Sequence, residues 1–314
     1  MDIYDTATHT WRTANLSQAP GDISTAALGS RVFFAGGWTS GMSPSAVVDI
    51  YDTANHAWST ANLSQARMDL SATAVGGEVF FAGGWTALNT GPSDLVDICD
   101  TATHTWSTAN LSQARGNLSA TAVGGEVSFA GGWSTTWTNS PSDMVDIYDT
   151  ATHAWSTANL SQARRALCAT ATAGHVFFAG GRANSGVSHV VDIYDTATHT
   201  LSTATLSQAR GSLAAAAIGD QVIFAGGNYT DVSGNGQFSY AVDIYDTATH
   251  TWSTDTLPQA YGAWAAAVTG NQVFFTNGSV ADIYTVPEPA TLSLLALGGL
   301  MLLTRRPAVP PALR

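Results

Sequence analysis

The sequence predicts an all-β fold: a β-propeller of six blades, each with four antiparallel strands. Three observations point there. A unit of roughly 47 residues recurs along the chain, each copy holds four short strand candidates, and glycine-rich turns separate them. Residues 1–285 form the propeller. Residues 286–306 form a hydrophobic segment read as a short helix, and residues 307–314 a polar tail.

The repeat frame is rigid except at one place. A DIY core begins at Asp2, Asp49, Asp97, Asp146, Asp192, Asp243 and Asp282. From that Asp to the first Gly of the following FAGG is 34 residues in every copy, as from Asp49 to Gly83 or Asp97 to Gly131. The sixth copy lands on Asn277 at the same step. From there to the next DIY the gap varies, being 13, 14, 15, 12, 17 and then 5 residues. One loop per repeat is therefore free to change while the frame is held, as expected of stacked repeats with one permissive face.

Within the unit, the first strand is an Ala/Thr/Val run such as Leu70 to Val75. The Gly76–Gly77 turn leads into the second, Glu78 to Ala82, and the pair reads as a hairpin. The third is VDIYD, with Val48 and Ile50 on one face and Asp49 and Tyr51 on the other. A polar turn over Thr53 to His56 leads to the fourth, around Trp58. The run Ala214 to Ala217 has helical propensity but is short and bounded by Gly, so it reads as a strand. Small side chains also suit the crowded inner strand of a blade.

Six first-and-second-strand hairpins are present, but the third strand occurs seven times. In the simplest closure, the N-terminal third and fourth strands complete the blade begun by residues 262–278. The surplus strand, Ala281 to Tyr284, then competes with Ile3 and Tyr4 for one place. The alternative is seven blades with a truncated first blade. The chain opens in mid-repeat, with MDIYD where other copies read VDIYD. This points to an initiator Val codon, with a further hairpin and an export signal encoded upstream.

These units resemble the kelch repeat. The resemblance rests on glycine pairs (Gly36–Gly37, Gly83–Gly84, Gly131–Gly132, Gly180–Gly181, Gly226–Gly227), a third-strand Tyr and a fourth-strand Trp. The tyrosines are Tyr4, Tyr51, Tyr148, Tyr194 and Tyr245, with Cys99 in one place. The tryptophans are Trp11, Trp58, Trp106, Trp155 and Trp252, with Leu201 in one place. The pattern covers residues 1 to about 285. Thr replaces the Pro that often follows the third strand.

The C-terminal segment VPEPATLSLLALGGLMLLTRR resembles a PEP-CTERM sorting signal, processed by an exosortase in Gram-negative bacteria. Pro287, Glu288 and Pro289 precede an apolar run, and Arg305 and Arg306 follow it. The extra tail Pro307 to Arg314 departs from that pattern. A 14-residue helix from Ala290 to Leu303 spans about 21 Å, short of a ~30 Å hydrocarbon core. It suits a transient stop better than a permanent anchor, with the arginines on the cytoplasmic side. The implied partners are an exosortase-type enzyme and, before processing, the membrane. The implied location is the cell envelope or extracellular space.

Composition narrows the function. All 11 basic residues are Arg, against 23 acidic ones, for a net charge of −12 over 314 residues. A nucleic-acid partner held by a basic surface is excluded. Hydrophobic residues at 45% exclude disorder, and two Cys exclude a disulfide scaffold.

Six of the eight His recur at one turn position: His9, His56, His104, His153, His199 and His250. One per blade cannot assemble a compact metal site, so they read as turn residues and no cofactor is expected. The paired Asp49 and Asp52 type reads as turn caps, with calcium the secondary reading. Cys99 and Cys168 read as small buried hydrophobes rather than a disulfide.

Strand parity places the variable loops and the LSQAR connections on one face. That face is expected to carry Arg67, Arg115, Arg164 and Arg210 beside Trp38, Trp85, Trp133, Trp137, Asn228, Tyr229, Phe238 and Tyr240. Arginines beside aromatics suit sugars or acidic peptides. A repeated Arg can equally bridge adjacent blades. The leading expectation is an exported, non-catalytic module binding a polysaccharide or protein. The rivals are a carbohydrate-active enzyme of the galactose-oxidase-like or sugar-epimerase type, and a structural surface protein without a ligand. Near-identical copies weigh against catalysis: Asp97 to Arg115 and Asp146 to Arg164 match at 17 of 19 positions.

Overall fold

A computed structural model describes residues 2–5, 8, 10–18, 21–39, 43–87, 90–134, 140–231, 233–260, 265–276 and 281–286. Every regular element among them is a strand. The PEP-CTERM-like residues Pro287, Glu288, Pro289, Arg305 and Arg306, the apolar run between them and the polar tail lie outside the described residues, as do Trp137 and His9.

The chain is a six-bladed β-propeller. Blade 2 shows the plan: Ser71–Val75, Glu78–Ala82, Leu95–Asp100 and Trp106–Asn110 pair in chain order, all antiparallel. Blade 1 follows it with Ser24–Leu28, Arg31–Ala35, Ser43–Asp52 and Ala57–Arg67. Blade 3 has Ser119–Val123, Glu126–Ala130, Met144–Asp149 and Ala154–Asn159. In blade 4 these are Cys168–Thr172, His175–Ala179, Val190–Asp195 and Thr200–Thr205. Blade 5 has Ala214–Ile218, Gln221–Ala225, Ala241–Asp246 and Thr251–Thr256. The alanine run at Ala214 is thus a strand, as its length and flanking glycines required.

Ring closure differs from the simplest expectation. Ala281–Thr285, not the N-terminal strand, takes the third place in blade 6, beside Ala265–Thr269 and Gln272–Thr276. Val273 pairs with Tyr284 and Phe275 with Asp282. The N-terminal Asp2–Asp5 pairs with Thr10–Thr13 in a separate two-stranded ladder. The local strand wins because it is joined to its partner by a short connection, and loop-closure entropy rises with loop length.

The core lies between blades. One cluster joins Phe80, Val96 and Ile98 of blade 2 to Val127, Phe129 and Tyr148 of blade 3, and the seams 1–2, 3–4, 4–5 and 5–6 repeat it. First strands contact one another in sequence, so their small residues line the inside of the ring.

Candidate functional site

The four repeated arginines are not displayed to solvent. Arg67, Arg115, Arg164 and Arg210 are all 0% exposed. Arg115 leaves the end of blade 2 and reaches into blade 3. Its Nη1 donates to Gly131 O at 2.7 Å and to Met144 O at 2.7 Å; its Nη2 donates to Phe129 O at 3.3 Å and to the Asp146 carboxylate. Asp146 Oδ1 also accepts from Ser112 N at 2.8 Å. Arg67, Arg164 and Arg210 make the same clamp onto Asp97, Asp192 and Asp243. Burial pushes each guanidinium below its ordinary range, and the paired Asp pulls it back. Placing them on a binding surface is therefore corrected. Their Nη donors are spent on the next blade, and a buried cation without such partners would be prohibitively costly.

The rest of the SQAR segment serves the same seam. In blades 1 to 5 a serine four residues before the DIY Asp (Ser45, Ser93, Ser142, Ser188, Ser239) is buried and donates to Gln18, Gln65, Gln113, Gln162 and Gln208 of the preceding connection. The glycine pair closes the seam from behind. A Cβ on Gly83, at φ +64, would sit 2.3 Å from the Arg115 carbonyl oxygen. Gly84 N donates to that oxygen at 2.9 Å.

The paired aspartates divide into two roles. The second caps the turn as expected: Asp149 Oδ1 accepts from Ala151 N and Thr152 N, both at 2.8 Å. The first does not cap a turn; it binds the previous blade. The recurring histidines occupy a left-handed turn position, His56 at φ 59 and His153 at φ 57. There their Nδ1 meets the third-strand tyrosine hydroxyl, 2.9 Å from Tyr51 and 2.7 Å from Tyr148. His is among the few non-glycine residues enriched at such φ. Among the described residues no group of three or more His, Cys, Asp or Glu could hold a metal ion. Cys99 and Cys168 are both buried and free, and burial pushes the Cys168 thiol up to about 12.

What remains on the variable-loop face is a ring of residues that follow the glycine pairs. Trp38 is half-buried and donates Nε1 to Asp22 at 2.7 Å. Trp85, expected to be exposed, is 8% exposed, because its indole lies on Gly116, where a Cβ would meet it at 2.2 Å. Trp133 is half-buried and meets Trp85 edge-on at 6.2 Å. In the next two blades the same position holds Arg182 and Asn228, joined by a hydrogen bond of 2.5 Å.

Two arginines absent from the sequence-based list stand here. Arg165 lies 4.1 Å over the Trp133 ring, and its backbone bridges to Arg182. Both line a cavity of about 240 Å³ with Pro141, Ala183, Asn184 and Gly186. Burial, then the neighbouring Arg182 charge, pushes the Arg165 guanidinium down. Neither is in an ion pair among the described residues. Their signal in the sequence was a break in the repeat: Arg165 stands where other copies have Met68, Gly116 or Gly211. Further round, the hairpin Asn228–Thr230 and Gly236–Phe238 carries half-buried Tyr229 and 55%-exposed Phe238, with Tyr240 54% exposed beyond it.

No family model and no curated protein matches the chain. Among solved structures it is similar to that of YjhT, with a TM-score of 0.65, at 15% identity over 84% of this chain and 94% of that chain. The likeness is one of fold.

Proposed function

We propose that the chain is a kelch-type propeller, exported through its PEP-CTERM-like segment, that binds an acidic polysaccharide without chemically altering it. The observation that carries this reading is the Arg165–Arg182 cleft: two adjacent guanidiniums, without a carboxylate partner among the described residues, between an indole face and an amide. Paired guanidiniums of this kind suit the carboxylate or sulfate groups of a polymer, and the exposed Phe238 and Tyr240 suit the faces of its sugar rings. Variation confined to one loop per blade supports this face as the adaptable one, on a frame otherwise committed to its seams.

Isothermal titration with alginate and dextran sulfate, against neutral dextran, tests it. Saturable binding of an acidic polymer that weakens with salt and drops at least about tenfold in Arg165→Ala/Arg182→Ala fits the reading. Equal binding of dextran, or an unaffected double variant, contradicts it.

A further inference from the structure

The seam between blades 1 and 2 differs from the others on the face opposite the variable loops. In blades 3 and 5 the third-strand tyrosine fills the seam: Tyr148 packs on Phe80 at 5.4 Å between ring centres, and Tyr245 on Phe177 at 5.6 Å. In blade 2 that place holds Cys99, opposite Phe33. Without a phenol ring there, a groove of about 510 Å³ is left, walled by Trp58 and Trp106 and floored by Phe33, Ile50 and Cys99. That size is in the range of small-molecule sites.

The missing phenol also frees His104 from the bond its equivalents make to tyrosine. Arg31 takes it instead, with Nη1 2.9 Å from His104 Nδ1 and 3.2 Å from Thr101 O. Equivalent positions hold Glu78, Glu126, His175, Gln221 and Gln272, so this arginine is peculiar to the open seam. The rim is completed by Asp52, Asn55, Ser59 and Thr60. Arg31 stands directly across the strand pair from Asp52, whose carboxyl is held below its ordinary range first by the Ala54 N–H and in smaller part by the guanidinium. The groove thus offers one positive and one negative group, amide and hydroxyl partners, and two indoles.

We infer that this groove binds a neutral pyranose, as a monosaccharide or the end of a short saccharide. Ring hydroxyls donate to Asp52 and accept from Arg31, while the apolar face of the sugar lies on an indole. The balance of Arg31 against Asp52 favours an uncharged ligand over an acidic one. The site stands apart from the Arg165–Arg182 cleft and does not depend on it.

The test is titration with methyl β-D-glucopyranoside, methyl β-D-galactopyranoside, methyl α-D-mannopyranoside and D-glucuronate, followed by tryptophan fluorescence. Wild type should bind at least one neutral glycoside saturably, with Kd of about 1 mM or below. Cys99→Tyr restores the residue of the other blades, so it should fold at least as stably and bind at least about tenfold more weakly. Arg31→Gln, carrying the residue of blades 5 and 6, should also weaken binding, while Arg165→Ala/Arg182→Ala leaves it unchanged. Absence of saturable binding to all three neutral glycosides overturns the inference. So does equal binding by Cys99→Tyr, or tighter binding of D-glucuronate than of the neutral sugars.

Discussion

The seam between blades 2 and 3 and the seam between blades 5 and 6 are built from the same template with different residues. At the first, Ser112 and Arg115 both engage Asp146, and no polar atom of that carboxylate is left over. At the second, Pro258 stands where the serine would donate its N–H and Tyr261 stands where the arginine would be. Asp282, the equivalent carboxylate, has a buried Oδ2 without a hydrogen-bond partner among the described residues. The inner strand of blade 3 is half-buried throughout, whereas four of the five residues of Ala265–Thr269 are exposed, Val268 at 44%. The ring is therefore held by its polar clamps as much as by its apolar seams, and it is weakest where the clamp is missing.

Breaking the stronger seam should give the largest effect. Arg115→Ala leaves Asp146 buried and unpaired, and should cost about 3–5 kcal/mol in denaturant unfolding. Adding Asp146→Ala should recover part of that loss, because the orphaned charge is then gone. Equal losses in the single and double variants would show that packing, not the ion pair, is what was removed.

Repairing the weaker seam should give a smaller gain. Pro258→Ser/Tyr261→Arg supplies Asp282 with the two donors that its equivalents have. Hydrogen bonds to a charged group contribute about 1.5–3 kcal/mol, and unfolding of the C-terminal blade should shift to higher denaturant by an amount within that range. An unchanged or lower midpoint would mean that the missing clamp is not what limits this blade.

The smallest effect concerns the turn carboxylates, which recur in blades 2 to 5, whereas blade 6 has Thr285 at that place. Backbone N–H groups of Thr152 and Ala151 hold the Asp149 carboxyl below its usual range, and Asp100, Asp195 and Asp246 are held likewise. Their folded pKa lies below the unfolded one. Their contribution is therefore present above the ordinary value of 3.8 and is lost as pH falls through the lower folded value. Asp149→Asn should shallow the acid limb of a stability–pH curve and leave its shape above pH ~5 unaltered, since both states are ionised there.

The frame within each repeat was legible in the sequence, because a step of 34 residues held constant over six copies leaves little choice of strand placement; which strand completes blade 6 was not, since two copies of the third strand competed for one place. The role of LSQAR was less so. Each arginine meets its aspartate across the variable loop, 30 residues on for Arg67, 31 for Arg115, 28 for Arg164 and 33 for Arg210. That drifting interval hides the pairing, although both partners sit at fixed places in the frame. Repetition itself was misleading about the site. The repeated Arg, Gln, Ser and Asp hold blades together, while the residues on which the two proposals rest, Arg165, Arg182, Arg31 and Cys99, are those that break the pattern.

Hydrogen exchange of the native protein, read strand by strand, tests the central claim most directly. If buried clamps set local stability, amides of Glu126–Ala130 and Met144–Asp149 exchange most slowly. Those of Gln272–Thr276 and Ala281–Thr285 should then exchange at least about tenfold faster, a gap of ~1.4 kcal/mol or more. Equal protection across the two seams would contradict it.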